Sequence, residues 1–341
     1  MQRGPWRITF DTNPDTCNLH CMMCEEHSLL APPRSAKQGK PRLMPFKIIE
    51  GVVGEAADLG LEQVIPSTMG EPLLYPDFAR LLDLVKRKCI KLNLTTNGTF
   101  PRLGARGWAR KILPVASDVK ISINGACKPT AEAIMEGIDF DAQRDNIKEF
   151  LAVRDEIRNS EPRGQPPTVT FQVTFMRSNL DDLPGLLQLA IDLGIDRFKG
   201  HHVWITHEPL LAESLKGSPC AVDAWNTTVD RLKEIQERAR QAGKVIKLEN
   251  VFKLDPAAVE GFNPEMSCPF LGKEAWIAWD GTFNVCCAPD PLRRTLGTFG
   301  NVLESGFIPL WNSAAYSRLL RDWRSRTVCA TCNMRRPAGC E

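Results

Sequence analysis

No stretch of the chain stays apolar for the ~20 residues that a membrane-spanning helix requires. The opening residues Met1-Gln2-Arg3-Gly4-Pro5-Trp6 lack the apolar run of a secretory signal. Charge of one sign is not in excess either. With 43 basic and 41 acidic residues the formal net charge is +2, so no global field favours nucleic acid or an anionic membrane. There is no internal repeat and no low-complexity tract. These absences lead us to expect a cytoplasmic globular protein whose partners include neither nucleic acid nor membrane, and whose substrate is a small molecule.

Cysteine, by contrast, is plentiful, with 12 in 341 residues. In a reducing compartment, clustered thiols signal metal binding more often than disulfides. Cys17, Cys21 and Cys24 lie on one short loop at spacing C-x3-C-x2-C, behind a β-rich run at 7–11 and its turn Thr12-Asn13-Pro14. Soft thiolates so close together suit an iron–sulfur cluster, and a cubane usually takes four cysteines. With three, one iron is left open to a ligand that is not protein. The other reading is a zinc ion, which wants four protein ligands in paired C-x2-C or Cys/His groupings. His20 and His27 lie nearby, but neither has the usual spacing.

Downstream, strand-like runs at 62–65, 90–95, 118–123, 169–175 and 196–200 alternate with helical periodicity at 46–59, 77–88, 103–112, 140–157 and 183–193. This alternation predicts an α/β fold of βα units on a parallel sheet. About six units are readable up to residue 202, too few for the usual eight-unit barrel unless it stays open. Chemistry in such folds collects at the C-terminal ends of the strands. A further helix is predicted at 222–242, and cysteine and tryptophan become dense from residue 261. We expect a barrel domain over 1–215, a linking helical region over 216–260 and a cysteine-rich domain over 261–341.

Cys17-x3-Cys21-x2-Cys24 resembles the signature of radical S-adenosylmethionine (SAM) enzymes. The resemblance implies a partial (βα)6 TIM-like barrel. It also implies that the three cysteines hold a [4Fe-4S] cluster, with the amino and carboxylate groups of SAM on the fourth iron. Reductive cleavage of SAM would then give a 5′-deoxyadenosyl radical that abstracts hydrogen from substrate. Met23 would lie against the adenine. Gly70-Glu71-Pro72 resembles the family's GGEP motif with Met69 in place of the first glycine, so Glu71 would meet the SAM amino group. Its alternative reading is a carboxylate near a helix N-terminus. Ser122 and Asn124, and at the preceding strand end Thr95 and Asn97, would bind the ribose and carboxylate of SAM, or else cap turns. An inward-facing Arg177 could pair with a carboxylate of SAM or substrate. Lys199, His201 and His202 could line the pocket as donors or proton shuttles, and Cys127 could donate a hydrogen atom to a substrate radical.

A second set follows: Cys268-x17-Cys286, then Cys329-x2-Cys332. Gly281, five residues before Cys286, suggests a hairpin with the cysteine on its second strand. Four thiolates make a closed site for zinc or a cubane. The pattern resembles the SPASM and "twitch" auxiliary-cluster domains, which implies one auxiliary [4Fe-4S] cluster, with Cys287 and Cys340 in reserve. The expected function is hydrogen abstraction from a sugar, aminocyclitol or nucleoside in antibiotic biosynthesis, giving dehydrogenation, decarboxylation or epimerisation. A flavodoxin or ferredoxin would serve as electron donor. The alternatives are a peptide-modifying maturase, disfavoured because few residues precede the first strand, and a structural metal-binding protein.

Overall fold

The computed structural model describes residues 4–30, 40–67, 69–160, 167–255, 266–330, 332 and 334–337. In chain order the elements are β1 (Arg7–Phe10), α1 (Phe46–Ala57), β2 (Gln63–Ile65), α2 (Phe78–Arg87), β3 (Lys91–Thr96), α3 (Gly104–Ile112), β4 (Ala116–Ser122), α4 (Lys128–Ile134), α5 (Phe140–Ser160), β5 (Thr168–Phe175), α6 (Leu183–Leu193), β6 (Arg197–His202), α7 (Pro219–Gln241) and β7 (Lys247–Glu249). The C-terminal part adds β8 (Met266–Ser267), β9 (Glu274–Ile277), β10 (Phe283–Asn284), α8 (Asp290–Arg293), α9 (Val302–Ser305), α10 (Phe307–Trp311), α11 (Ala314–Asp322), α12 (Thr327–Ala330) and β11 (Arg336–Pro337). Each strand and helix predicted between residues 7 and 242 forms, with ends shifted by a few residues. Periodicity missed α4 and β7, both too short to show a pattern.

Two compact units result. The first comprises Met1–Cys17, Arg34–Leu94 and Gly261–Glu341. Here β1 pairs in parallel with β2 on one side and with β9 on the other, Ile8 facing Val64 and Ala275. β2 runs parallel to β3, and β10 turns back on β9. Ile8 and Phe10 enter the apolar core. Arg7, on the opposite face, forks onto Glu274 at 3.0 and 2.6 Å. The Glu55 carboxylate of α1 accepts the first amides of α10, from Phe307 and Ile308, at 2.9 and 3.0 Å, a favourable place for an anion. The C-terminal part thus shares a unit with the first strands instead of standing apart from residue 261. Its aromatic core is built edge-to-face, with Phe283 against Phe299, Phe307 and Tyr316.

The second unit comprises Asn18–Pro33 and Thr95–Glu260. It contains the parallel run β4-β5-β6-β7, so α7 and β7 belong here and not to a linker. Burial alternates along β6, as a period of two demands. Phe198, Gly200 and His202 turn to the core side, where His202 meets the rings of Phe175 and Trp225 of α7 edge-on at 5.7 and 4.8 Å. The opposite face is polar. Asp118 accepts the Thr168 and Thr170 hydroxyls at 2.8 Å each and pairs with Arg197 at 2.8 Å. Glu249 pairs with Arg197 at 3.1 Å and Lys199 at 3.4 Å. Burial opposes charge on Glu249, but Lys199, Arg197 and Lys247 prevail and hold its pKa at about 2. These charges are tolerable because they neutralise one another in place.

Gly200 is fitted to the Phe175 ring: a Cβ there would lie 2.2 Å from it. Gly200→Ala should lower stability by about 1–3 kcal/mol, as overpacking of a filled core does. Urea unfolding checks this, and an unchanged midpoint would show that the ring moves aside freely.

Candidate active site and auxiliary cysteine set

The loop from Asn18 to Ser28 is pinned by backbone bonds. His20 N donates to Glu136 O at 2.8 Å and Met22 N to Ile134 O at 2.9 Å, just past and at the end of α4. The buried Leu19 side chain anchors it. Asn18 is bonded through both polar atoms of its amide, accepting from Asn97 Nδ2 at 2.9 Å and donating to Thr99 Oγ1 at 3.1 Å. Asn97, expected to touch SAM, therefore positions this loop, and Asn18 is a residue that sequence reasoning overlooked. Cys24 N closes a turn onto Cys21 O at 2.9 Å. Burial pushes the Cys24 thiol up, while the amides of Glu26 and His27 donate to its sulfur and oppose that. Amides aimed at sulfur suit a thiolate ligand of an iron–sulfur cluster. His20 Nδ1 contacts His27 O at 3.1 Å, within the loop. Met23, Cys17 and Cys21 are half-buried.

In the first unit, Gly70-Glu71-Pro72 is stapled to the segment that enters Cys17. Glu71 N donates to Thr16 O at 2.9 Å, and Asn13 Nδ2 donates to Glu71 O at 2.9 Å. Gly70 has φ +77°, and a Cβ on it would lie 2.2 Å from Asn13 O, so only glycine fits. Glu71 is 1% exposed, and its Oε1 accepts Leu73 N at 3.2 Å, capping the 3-10 turn that Pro72 begins. The capping role weighed for this carboxylate is thus present.

In the second unit, Asn124 is buried, and its Oδ1 accepts Thr174 N at 2.8 Å. Asn179, fully buried and not anticipated, donates to Asn124 O at 3.1 Å and Thr174 O at 2.9 Å. Thr95 and Ser122 are half-buried. Ser122 stands opposite Gln172, and Gln172 Nε2 lies 3.4 Å from His201 Nδ1. These side chains make a polar row across β4, β5 and β6. Burial and the nearby Lys199 hold His201 at about 4, so it is neutral at pH 7 and can accept or donate one hydrogen bond.

Two expectations are corrected. Arg177 does not face inward: the chain enters the 3-10 turn Arg177–Asp182, which leaves Arg177 exposed while Asn179 fills the interior. His202 lies in the aromatic core on the face opposite His201, because adjacent strand residues point apart. Cys127 is exposed, its sulfur 3.3 Å from Thr130 Oγ1 and 3.7 Å from Asp182 Oδ2.

The second cysteine set lies wholly in the first unit. Burial pushes Cys329 and Cys332 up to about 12, with Cys286 and Cys268 adding to both. A bond from Cys287 lowers the Cys286 thiol, and that same bond and burial raise Cys287, which also senses Cys332 and Cys268. Five thiols therefore converge, one more than expected. Amides of Leu271, Ala288 and Met334 point at the sulfurs of Cys268, Cys286 and Cys332 at 3.5, 3.4 and 3.3 Å. Neighbouring thiols with amides aimed at their sulfurs fit the ligands of a cubane. Cys286 sits just past β10 and not on it, and Cys340 lies outside the described residues.

Residues 14–190 match the Radical SAM superfamily, and residues 268–333 match SPASM, the iron-sulfur cluster-binding domain. The chain belongs to the radical SAM superfamily. It is similar to the tungsten-containing aldehyde ferredoxin oxidoreductase cofactor-modifying protein of Pyrococcus furiosus, at 22% identity over 94% of this chain and 85% of that protein. It is also similar to the mycofactocin maturase MftC of Mycobacterium ulcerans, at 24% over 96% and 79%, and to the PqqA peptide cyclase of Ruegeria pomeroyi, at 29% over 56% and 46%. Its fold resembles that of Streptococcus suis SuiB bound to S-adenosylmethionine, with TM-score 0.64 and 17% identity over 93% of this chain and 68% of that one. The radical SAM fold, a TIM-like partial barrel with a C-terminal SPASM domain, is therefore established here, and its cofactors are SAM and two [4Fe-4S] clusters. No helix among the described residues is long and apolar enough to cross a membrane.

His201 yields a pH prediction for this radical SAM chain. Held at about 4 when folded against an ordinary 6.5, it leaves the unfolded chain binding more protons between those values. Its share of stability is complete above pH 6.5 and declines as pH falls toward 4. His201→Gln should flatten the acid-side slope in a pH series of urea midpoints. A slope equal to that of the unsubstituted chain would contradict the assignment.

Proposed function

We propose that this chain is a peptide-modifying radical SAM maturase. A cluster held at the three-cysteine site would pass one electron from a ferredoxin or flavodoxin to SAM, releasing methionine and a 5′-deoxyadenosyl radical that would take hydrogen from a residue of the peptide. The observation that carries the substrate class is the kinship with a peptide cyclase and a maturase. It replaces the expectation of a sugar, aminocyclitol or nucleoside in antibiotic biosynthesis.

On this reading, Cys17, Cys21 and Cys24 ligate the open cluster. The amides of Glu26 and His27 favour the Cys24 thiolate, and Asn97 steadies the loop through Asn18. Met23, Thr95, Ser122 and the Gly70-Glu71-Pro72 segment are the SAM contacts, Glu71 supplying the carboxylate for its amino group. Gln172 and neutral His201 offer hydrogen-bond partners for peptide amides. Cys268, Cys286, Cys329 and Cys332 hold the auxiliary cluster, which carries electrons between substrate and a ferredoxin or flavodoxin. Cys127 stays a candidate hydrogen donor. A second reading, modification of a cofactor-sized molecule, is favoured by the Pyrococcus relative.

Anaerobic reconstitution with iron and sulfide should load about eight irons per chain, two cubanes' worth. Dithionite and SAM should then yield 5′-deoxyadenosine. Replacing Cys17, Cys21 and Cys24 together by alanine should leave about four irons and abolish that product. Short peptides encoded beside the chain's gene should change mass in the same assay. Full iron loading without 5′-deoxyadenosine would refute the radical chemistry, and turnover of a cofactor-sized molecule but of no peptide would refute the substrate class.

A further inference from the structure

We infer that Arg335 is the buried counter-cation of the auxiliary cluster and that it raises the cluster's reduction potential. The inference rests on the reading that Cys268, Cys286, Cys329 and Cys332 ligate that cluster.

The backbone brings Arg335 there from two directions. β11 pairs antiparallel with β8, Arg336 facing Ser267 and Pro337 facing Met266. Arg335 immediately precedes this pairing on the β11 side, and Cys268 immediately follows it on the β8 side. On its other side the chain has just left Cys332, whose sulfur accepts Met334 N at 3.3 Å. The side chain then runs to Trp323, its guanidinium 5.8 Å from the ring centroid. Trp323 opens the 3-10 turn before α12, and α12 carries Cys329. Arg335 is therefore enclosed by the segments that carry three of the four proposed ligands.

It is also 5% exposed. A guanidinium so buried is strongly disfavoured unless anionic groups surround it. Burial pulls its pKa down, Arg324 adds to that, and the sulfurs of Cys332, Cys329 and Cys268 are near enough to oppose it. A cubane held by four thiolates is anionic and gains one further negative charge on reduction. A fixed cation beside it stabilises the reduced form more than the oxidised one, and net charge near a cluster is a recognised lever on potential. Arg324 provides the contrast: its guanidinium lies 4.6 Å from the same Trp323 ring, but it is exposed, so water and salt screen it.

The test is an EPR-monitored redox titration of the anaerobically reconstituted full chain, with the SAM-site cluster as internal reference. Arg335→Met should reduce the reduced-to-oxidised ratio of the auxiliary cluster at fixed potential by about tenfold, a fall of about 59 mV for one electron. Arg335→Lys should retain most of the potential, and Arg324→Met should move the ratio by less than about threefold, since its charge is screened. Loss of the second cluster in Arg335→Met but not in Arg335→Lys also supports the counter-cation. The inference is overturned if Arg335→Met titrates like Arg324→Met, or if the methionine and lysine variants lose the cluster alike. If the unsubstituted chain takes up only one cluster, the reading beneath the inference fails before Arg335 is tested.

Discussion

Thiolates repel one another, and the SPASM part of this chain sets its cysteines near one another, half-buried except for the buried Cys329. Burial and mutual repulsion together raise Cys329 and Cys332 to about 12, while a bond from Cys287 lowers Cys286. With the cysteines ligating as proposed, iron would reverse the balance, because each thiolate becomes a ligand and the ligation energy adds to folding. Much nearby structure serves that condition. Amides point at three of the sulfurs, β11 and β8 close the set from the chain's end, and an aromatic core around Phe283 and Tyr316 supplies rigidity that the short strands cannot.

The three-cysteine loop answers the same problem differently. Its cysteines are half-buried, and the order comes from backbone. Glu136 and Ile134 hold His20 and Met22, and Asn18 is clasped by Asn97 and Thr99. Such a loop can present a cluster with one iron open to a small ligand, whereas a four-thiolate site cannot. The polar face of β4 to β7 suits the same end. Its charges are internally paired through Asp118, Arg197, Glu249 and Lys199, so it presents hydrogen-bonding groups without a large net field.

Much of this was legible in the residues. The run Leu-Pro-Gly-Leu-Leu-Gln-Leu-Ala-Ile-Asp-Leu announces α6 to the residue, and the C-x3-C-x2-C spacing announces a cluster short of one ligand. What escaped depended on contacts between distant segments or on local turns. The Asn97–Asn18 bond spans 79 residues, and the insertion of β9 beside β1 joins positions still further apart. Arg177, expected to face inward from the end of the strand, instead turns out because the backbone leaves the strand for a 3-10 turn just after Met176. The pair His201 and His202 is a different case. Alternation alone could have separated them, since neighbours on a strand cannot both face one pocket.

The central claim is that one cluster is open to SAM and the other is closed. EPR spectra of the reconstituted, dithionite-reduced chain before and after addition of SAM test it most directly. Two reduced-cluster signals should be present, one shifting when SAM occupies the open iron and the other unmoved. Two signals that both ignore SAM, or zinc in place of iron at both cysteine sets, would contradict the account.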